Sequence, residues 1–312
     1  LKQGIISDVT IDSDNNWWMY DSQYKRTGYL TQDPLLFSSK DNDVLLTFWN
    51  EADGIWKKFT LDKARNIQST DVNDFLKVDN YIVLATMNGL YRTDINTINN
   101  MNTSSPYVGS HWDMISISDG LYDNAIWKIV LYKDVLFALT SDGINEIDLK
   151  TFNIVPSRLS KFNQINTFDM IINEDDIILS TINGIASINL SDLSEKFIHL
   201  STCDQMQIDG SYLYCLDQGI TRFNLNNQII EPDIILLENN IRNFTIFNHH
   251  IWVNLVSKVR LMNLNNGESW YYSNSDGIIG HEIYNIGCES DWVWFIADKG
   301  ISIYNWKKYH EE

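Results

Sequence analysis

The sequence predicts an all-β protein built as a β-propeller, with eight blades expected and seven as the alternative, each a sheet of three to four antiparallel strands. Three observations carry this. Short runs rich in Ile, Val, Tyr, Phe and Trp alternate with polar residues at period two, and no window of about 12 residues holds an apolar stripe of helical period. The runs come in pairs around tight turns containing Gly, the pattern of β-hairpins. The hairpins recur about every 40 residues, the spacing at which a small twisted sheet repeats around a propeller.

Taken in order, the first units are degenerate, at Asn16 to Lys25 and at Val44 to Trp56. Tyr81–Thr86 then meets Leu90–Asp94 across Met87-Asn88-Gly89, and Val135–Thr140 meets Ile144–Asp148 across Ser141-Asp142-Gly143. Ile177–Thr181 and Ile185–Asn189 flank Ile182-Asn183-Gly184, and Leu213–Leu216 runs into Asp217-Gln218-Gly219. A degenerate unit spans Trp252 to Met262, and Val293–Ala297 precedes Asp298-Lys299-Gly300. Eight units in 312 residues give about 39 residues each, with approximate blades at 1–32, 33–70, 71–106, 107–160, 161–200, 201–237, 238–276 and 277–312 of one domain. The long interval before Gly143 implies an insertion between about Thr97 and Asn124. A β-solenoid has shorter coils, and a β-sandwich lacks a period along the whole chain.

Composition narrows the function classes. Hydrophobic residues make up 44% and aromatic residues 12% of the chain, enough for a sizeable core. The longest aliphatic run, Ile234 to Leu237, is far short of the roughly 20 residues of a membrane-spanning helix, so direct membrane insertion is not expected. With 23 basic against 41 acidic residues the net charge is -18, which repels nucleic-acid phosphates and anionic headgroups. Residue 1 is Leu and no signal-like segment follows, so the chain is expected to be processed or excised from something longer. The three cysteines, Cys203, Cys215 and Cys288, read as small buried apolar residues. A two-residue loop at Asp209-Gly210 would turn Cys215 away from Cys203, which disfavours a disulfide without excluding it.

Three passages share a motif: Trp270 to Ile286 with Ser275-Asp276-Gly277-Ile278, Ser118-Asp119-Gly120-Leu121 to Ile129, and Gly4 to Ile11. They resemble the two-component regulator propeller repeat, whose blades join through an Asp-Gly-Leu linker and continue into a Trp-bearing strand, a turn Gly and a Tyr-Asp pair. Trp294 to Asn305 matches best, and Ile11 to Trp18 matches in part, without the turn Gly. The resemblance is clear in about three of eight units. It implies the periplasmic sensing region of a bacterial hybrid two-component regulator, or a surface or secretion-associated binding protein. Within these 312 residues no Ig-like domain, membrane helix or kinase follows the last unit, so a departure from the sensor pattern is expected.

The candidate ligand-binding residues are Tyr107, His111, Trp112, Asp113, Asp119 and Tyr122 on the insertion, with Trp270, Tyr272 and His281 on the later linker. Aromatic faces suit sugar rings or peptide side chains, and carboxylates accept their hydroxyl or amide hydrogen bonds. The competing reading buries Trp112 and Tyr107 as local core. Asn88, Asp142, Asn183, Asp217 and Asp298 recur once per unit as turn residues. Asp12 to Asn16 mimics half a calcium loop but has Trp17 in the glycine position, and adjacent His249 and His250 point apart on an extended strand, so no metal site is expected. No Gly-x-Ser-x-Gly elbow or phosphate-binding glycine loop is present, and no catalytic residue or cofactor is assigned. The expectation is a non-enzymatic recognition propeller outside the bacterial cytoplasm, periplasmic or at the cell surface, whose partner is a protein or an oligosaccharide or peptide ligand. A scaffold subunit of a surface or secretion assembly is the alternative, and a polysaccharide lyase or hydrolase the second.

Overall fold

A computed structural model describes residues 8–11, 16–20, 44–50, 54–61, 72–97, 107–226, 232–238 and 240–310. The chain divides into two compact units, one of Ile11–Thr167 and one of Leu1–Thr10 with Phe168–Glu312. The strands form an all-β propeller of seven sheets, which corrects the expected count of eight. The hairpins anticipated at Asn16 to Lys25 and Val44 to Trp56 are one blade. Its strands run in the order β1 (Asp8–Ile11), β2 (Asn16–Tyr20), β3 (Val44–Asn50), β4 (Ile55–Leu61). β2 pairs directly with β3, Trp17 opposite Trp49 and Trp18 opposite Phe48, so the marker counted near residue 23, which lies outside the described residues, falls between two strands of the same sheet.

The described part of the insertion contributes two strands. β8 (Tyr107–Ser110) adds to the first sheet, parallel to β4. The second sheet is β5 (Val72–Val78), β6 (Tyr81–Thr86), β7 (Gly89–Asp94) and β9 (Asp113–Ile115), so the insertion also supplies its fourth strand. The third is β10 (Ile126–Tyr132), β11 (Val135–Thr140), β12 (Gly143–Asp148) and β13 (Asn153–Val155).

The other unit repeats the order three times, and its remaining sheet has three strands among the described residues. Its sheets are β14 (Thr167–Asn173) to β17 (Glu195–His199) through β15 (Asp176–Thr181) and β16 (Gly184–Asn189), and β18 (Gln205–Asp209) to β21 (Pro232–Leu236) through β19 (Tyr212–Leu216) and β20 (Ile220–Asn224). Next come β22 (Asn243–Phe247), β23 (His250–Asn254), β24 (Val259–Asn263) and β25 (Ser269–Tyr272). The last sheet has β26 (Ile283–Glu289), β27 (Trp292–Ala297) and β28 (Gly300–Asn305), followed by a short helix, Lys307–His310. No helix among the described residues is long and apolar enough to cross a membrane.

Second strands are apolar at nearly every position because both faces of each blade are covered. In β6, Ile82 and Leu84 pack with Trp18, Phe48 and Trp112, while Val83 and Ala85 pack with Ile126 and Leu136 of the third sheet. In β23, Trp252 joins Val293 and Phe295, while Ile251 and Val253 join Tyr214 and Leu216. Polar side chains of the first strands tie neighbouring sheets where the apolar layers end. Asp74 Oδ2 accepts from Ile129 N at 2.9 Å, and Asp169 Oδ2 from Met206 N at 2.6 Å. Gln205 Oε1 accepts from Phe244 N at 3.1 Å, and Asn243 Nδ2 donates to Tyr284 O at 3.2 Å. Such bonds leave buried strand-edge groups satisfied.

The cysteine expectation is also corrected: Cys203 and Cys215 form a disulfide, and Cys288 is free. The hairpin loop is Gly210-Ser211, with Asp209 opposite Tyr212, so Met206 faces Cys215. Cys203 lies before the ladder begins, and its N–H donates to Ser180 Oγ at 2.7 Å while Asp204 N donates to Leu216 O at 2.8 Å. These bonds bend the chain back and bring the two Cα atoms to 5.4 Å. Cys288 is half-buried, and burial pushes its thiol well above the ordinary range.

Candidate functional site

The hairpin turns have a common construction. Thr86 Oγ1 donates to Gly89 O and accepts from Asn88 N, Thr140 does the same with Gly143 and Asp142, and Thr181 with Gly184 and Asn183. Each Thr closes its own turn, so the recurring Asn and Asp positions sit in a hydrogen-bonded scaffold. The Thr two residues before each Asx-Gly pair is the sequence signal for this arrangement.

The two Asp-Gly linkers are also built alike. Ser116 N and Oγ both donate to Asp119 Oδ2, at 3.0 and 2.9 Å, and Gly120 takes a left-handed conformation with φ 110°. Ser273 N and Oγ donate to Asp276 Oδ2, both at 2.9 Å, before Gly277 at φ 102°. The Ser273 backbone and hydroxyl hydrogen bonds hold the Asp276 carboxyl below its usual range. Leu121 and Ile278 are then buried at the start of the following sheets.

Around the first linker, Trp112 is buried against Trp18, Phe75 and Tyr91, its ring inside the stack of the first two sheets. His111 is exposed, with its ring 4.0 Å from Asp113, and Asp113 pairs with Arg92 at 3.0 Å. Arg92 also donates to Leu149 O and Lys150 O, and its guanidinium lies over Tyr81 and Phe152. Tyr122 is half-buried and its backbone N donates to Asn145 Oδ1. Tyr107 belongs to β8, whose backbone pairs with β4. The region thus brings His111 and Asp113 together at the surface, while Trp112 goes inward and Asp119 caps its turn.

Around the second linker, Trp270 and Tyr272 pack with the C-terminal helix. The Tyr272 hydroxyl and His310 Nε2 are 2.7 Å apart, Tyr304 OH is 3.3 Å from the same nitrogen, and the Trp270 and His310 ring centres are 4.8 Å apart. Burial raises the Tyr272 phenol far above its ordinary range, and burial with nearby His250 lowers His310. His281 stands apart and exposed, its N–H bonded to Asp298 Oδ1 at 2.7 Å. Burial opposes ionisation of Asp298, but the His281 and Glu282 N–H groups keep its carboxyl below the usual range.

The two adjacent histidines are separated. His249 bonds through its N–H to Asp209 at 2.9 Å, whereas His250 is buried against Trp306. No group of three His, Cys, Asp or Glu able to hold a metal ion occurs among the described residues. The calcium-like stretch at 12–15 lies outside the described residues.

One surface feature escaped the sequence reading. Ile115 and Tyr272 are the last paired residues of β9 and β25, each followed by the capping Ser116 or Ser273. In β17 and β21 the corresponding last residues are His199 and Leu236, followed by Leu200 and Leu237, which are 77% and 70% exposed. Ile182, Phe197 and Ile234 on the same two sheets are 58%, 58% and 63% exposed. The signal was an apolar residue directly past the outer strand where other linkers place Ser.

No protein-family model matches the chain, and no curated protein sequence matches it. Among solved structures, it is similar to the extracellular domain of BT4673 from B. thetaiotaomicron, described as a hybrid two component system, at TM-score 0.66 and 13% identity over 96% of this chain and 38% of that one. It is similar to PorZ, an essential bacterial surface component of the type-IX secretion system of Porphyromonas gingivalis, at TM-score 0.64 and 10% identity over 96% of this chain and 36% of that one. The computationally designed Ika8 protein matches at TM-score 0.58 and 10% identity over 97% and 96% of the two chains. At these identities the likeness is one of fold. The chain spans less than two-fifths of the BT4673 and PorZ chains.

Proposed function

We propose that this protein is a non-enzymatic recognition propeller of the bacterial cell exterior and that it docks a protein partner on the outer-strand ends of the β14–β17 and β18–β21 sheets. The carrying observation is Leu200 and Leu237, each more than two-thirds exposed where a capped polar turn would cost nothing in solubility. Ile182, Phe197 and Ile234 extend this apolar surface on the same sheets. Exposed apolar clusters on a rigid frame mark protein interfaces more often than sugar sites, which are concave and carry convergent polar groups. The Cys203–Cys215 disulfide supports an oxidising, extracytoplasmic compartment. The net charge of -18 favours a partner with a basic rim and makes association salt-dependent.

The test is a photo-reactive side chain at Leu200 or Leu237, irradiated in the native envelope. A crosslink to one defined protein, lost in the L200D/L237D double variant, is expected. Absence of any protein crosslink, together with thermal stabilisation by an oligosaccharide or a short peptide, would move the function to small-ligand sensing.

A further inference from the structure

The C-terminal helix, Lys307–His310, hangs from one fixed point. Trp306 ahead of it is fully buried, its backbone N–H bonded to Asp291 O and its indole N–H to Ser290 O, both at 3.1 Å. Beyond Trp306 the grip is slight. Lys307, Lys308 and Tyr309 are exposed, and the Lys307–Asp291 pair at 3.2 Å is solvated, an arrangement that contributes little. Tyr309 stacks on Tyr304 with ring centres 5.6 Å apart. His310 is the one residue of the four that reaches inward, its ring among those of Trp252, Trp270, Tyr272 and Tyr304 and its Nε2 at the two tyrosine hydroxyls.

This niche suits a neutral imidazole. Burial raises both phenols, so Tyr272 and Tyr304 keep their protons and the Tyr272 hydroxyl donates to a lone pair on Nε2. The groups around the ring offer an added proton no counter-ion. From β23 comes His250, whose Nδ1–H donates to Asn248 O at 2.9 Å and whose buried Nε2 has no partner. From β25 and β28 come the two phenols, and the helix itself carries Lys307 and Lys308. The adjoining β26 brings Cys288, a thiol kept protonated by burial, with Glu289 beside it. The acids near the rim are engaged, Asp291 with Lys307 and Asp276 with Ser273 N and Oγ. No carboxylate pairs with His250 or His310 among the described residues. A proton on His310 therefore places a positive charge in a half-buried site beside a second histidine and two lysines, where water solvates it better.

We propose that Lys307–His310 is an acid-released latch: protonation of His310 frees the segment to swing out from Trp306 while the sheets stay folded, and bares the Trp270, Tyr272 and Tyr304 rings beside it. The direction follows from linkage. Burial, with His250, lowers the His310 pKa in the docked state. Docking is thus strongest above about 6.5 and weakens about tenfold per pH unit as the pH falls from there to the docked value. Neither the Trp306 anchor nor the β27–β28 ladder holds a group that titrates in this interval, so the loss stays local. This inference does not depend on the docking surface proposed above.

Hydroxyl-radical footprinting of the 312-residue chain at about pH 8 and about pH 5 tests it, read by mass spectrometry at Trp270, Tyr272 and Tyr304 while far-UV circular dichroism follows the sheets. Oxidation of the three rings is expected to rise severalfold in acid with an unchanged β spectrum, and to fall back when the pH is restored. His310→Gln, which keeps a polar group near Tyr272 but takes up no proton, should show no pH dependence. If the aromatic rings instead held the imidazolium by cation–π attraction, the latch would tighten in acid and His310 would titrate above about 6.5 by NMR. That result, rings equally protected at both pH values, an equal rise in the variant, or loss of the β spectrum along with the latch would each overturn the proposal.

Discussion

Gly184 and Gly300 show how much a single position depends on its neighbours. Both follow a two-residue turn and both have positive φ, 112° and 142°, so a side chain at either is conformationally unfavourable. They differ in surroundings: His199 O stands 2.4 Å from a Cβ built on the first, whereas among the described residues the nearest group to the second is Ile279 Cγ2 at 4.0 Å. Gly184→Ala is expected to lower the unfolding free energy by about 1 kcal/mol or more beyond Gly300→Ala, because a Cβ against a strand carbonyl forces β17 outward. Urea unfolding of the two variants measures this, and equal losses would show that φ alone decides. Glu146 illustrates the same dependence in a polar setting. Its carboxylate is buried, yet Arg158 N and Nε reach it at 2.6 and 2.7 Å, so the charge is fully bonded.

Two elements hold by local clasps. The Cys203–Cys215 bond closes a short loop across the start of the β18–β19 hairpin, over a sequence separation of 12. Replacing both cysteines by Ser is expected to cost about 3 kcal/mol through the entropy of the unfolded chain. Unfolding with and without reductant checks this, and a reductant-insensitive midpoint would count against the bond. The C-terminal helix is held by His310, whose pKa is lowered in the folded state by burial and by His250. The folded protein therefore binds the proton less readily than the unfolded chain. Stability from this clasp is present above the ordinary imidazole value of about 6.5 and is lost as pH falls through the lower folded value. The thermal midpoint should drop between pH 8 and pH 5, and His310→Gln should flatten that drop. An unchanged slope in the variant would place the proton uptake elsewhere.

At the scale of the whole molecule, binding and stability separate. Leu200 and Leu237 contribute little to the core, so the L200D/L237D variant should keep its unfolding free energy within about 0.5 kcal/mol per site while losing its partner. A large stability loss would mean that the two leucines pack in the fold. The all-β class, the hairpins around Gly89, Gly143, Gly184 and Gly300 and the Asp-Gly linkers were legible in the sequence. They depend on alternation and turn chemistry within a few residues.

Tertiary structure alone decided the rest, because it depends on pairings between distant segments. Seven sheets replace eight since β2 pairs β3 across residues 21–43, a contact that no local pattern encodes. Trp112 and Asp113 are adjacent in sequence, yet one enters the core and the other meets Arg92, because β9 starts between them and fixes which side faces the neighbouring sheet. The disulfide likewise waits on a bend at Asp204 set by hydrogen bonds to Leu216 and, through Cys203, to Ser180. The sequence by itself determined which segments become strands and where they turn. Which strands share a sheet, and so which side chains reach the surface, followed only when long-range burial selected among the pairings that the local pattern allowed.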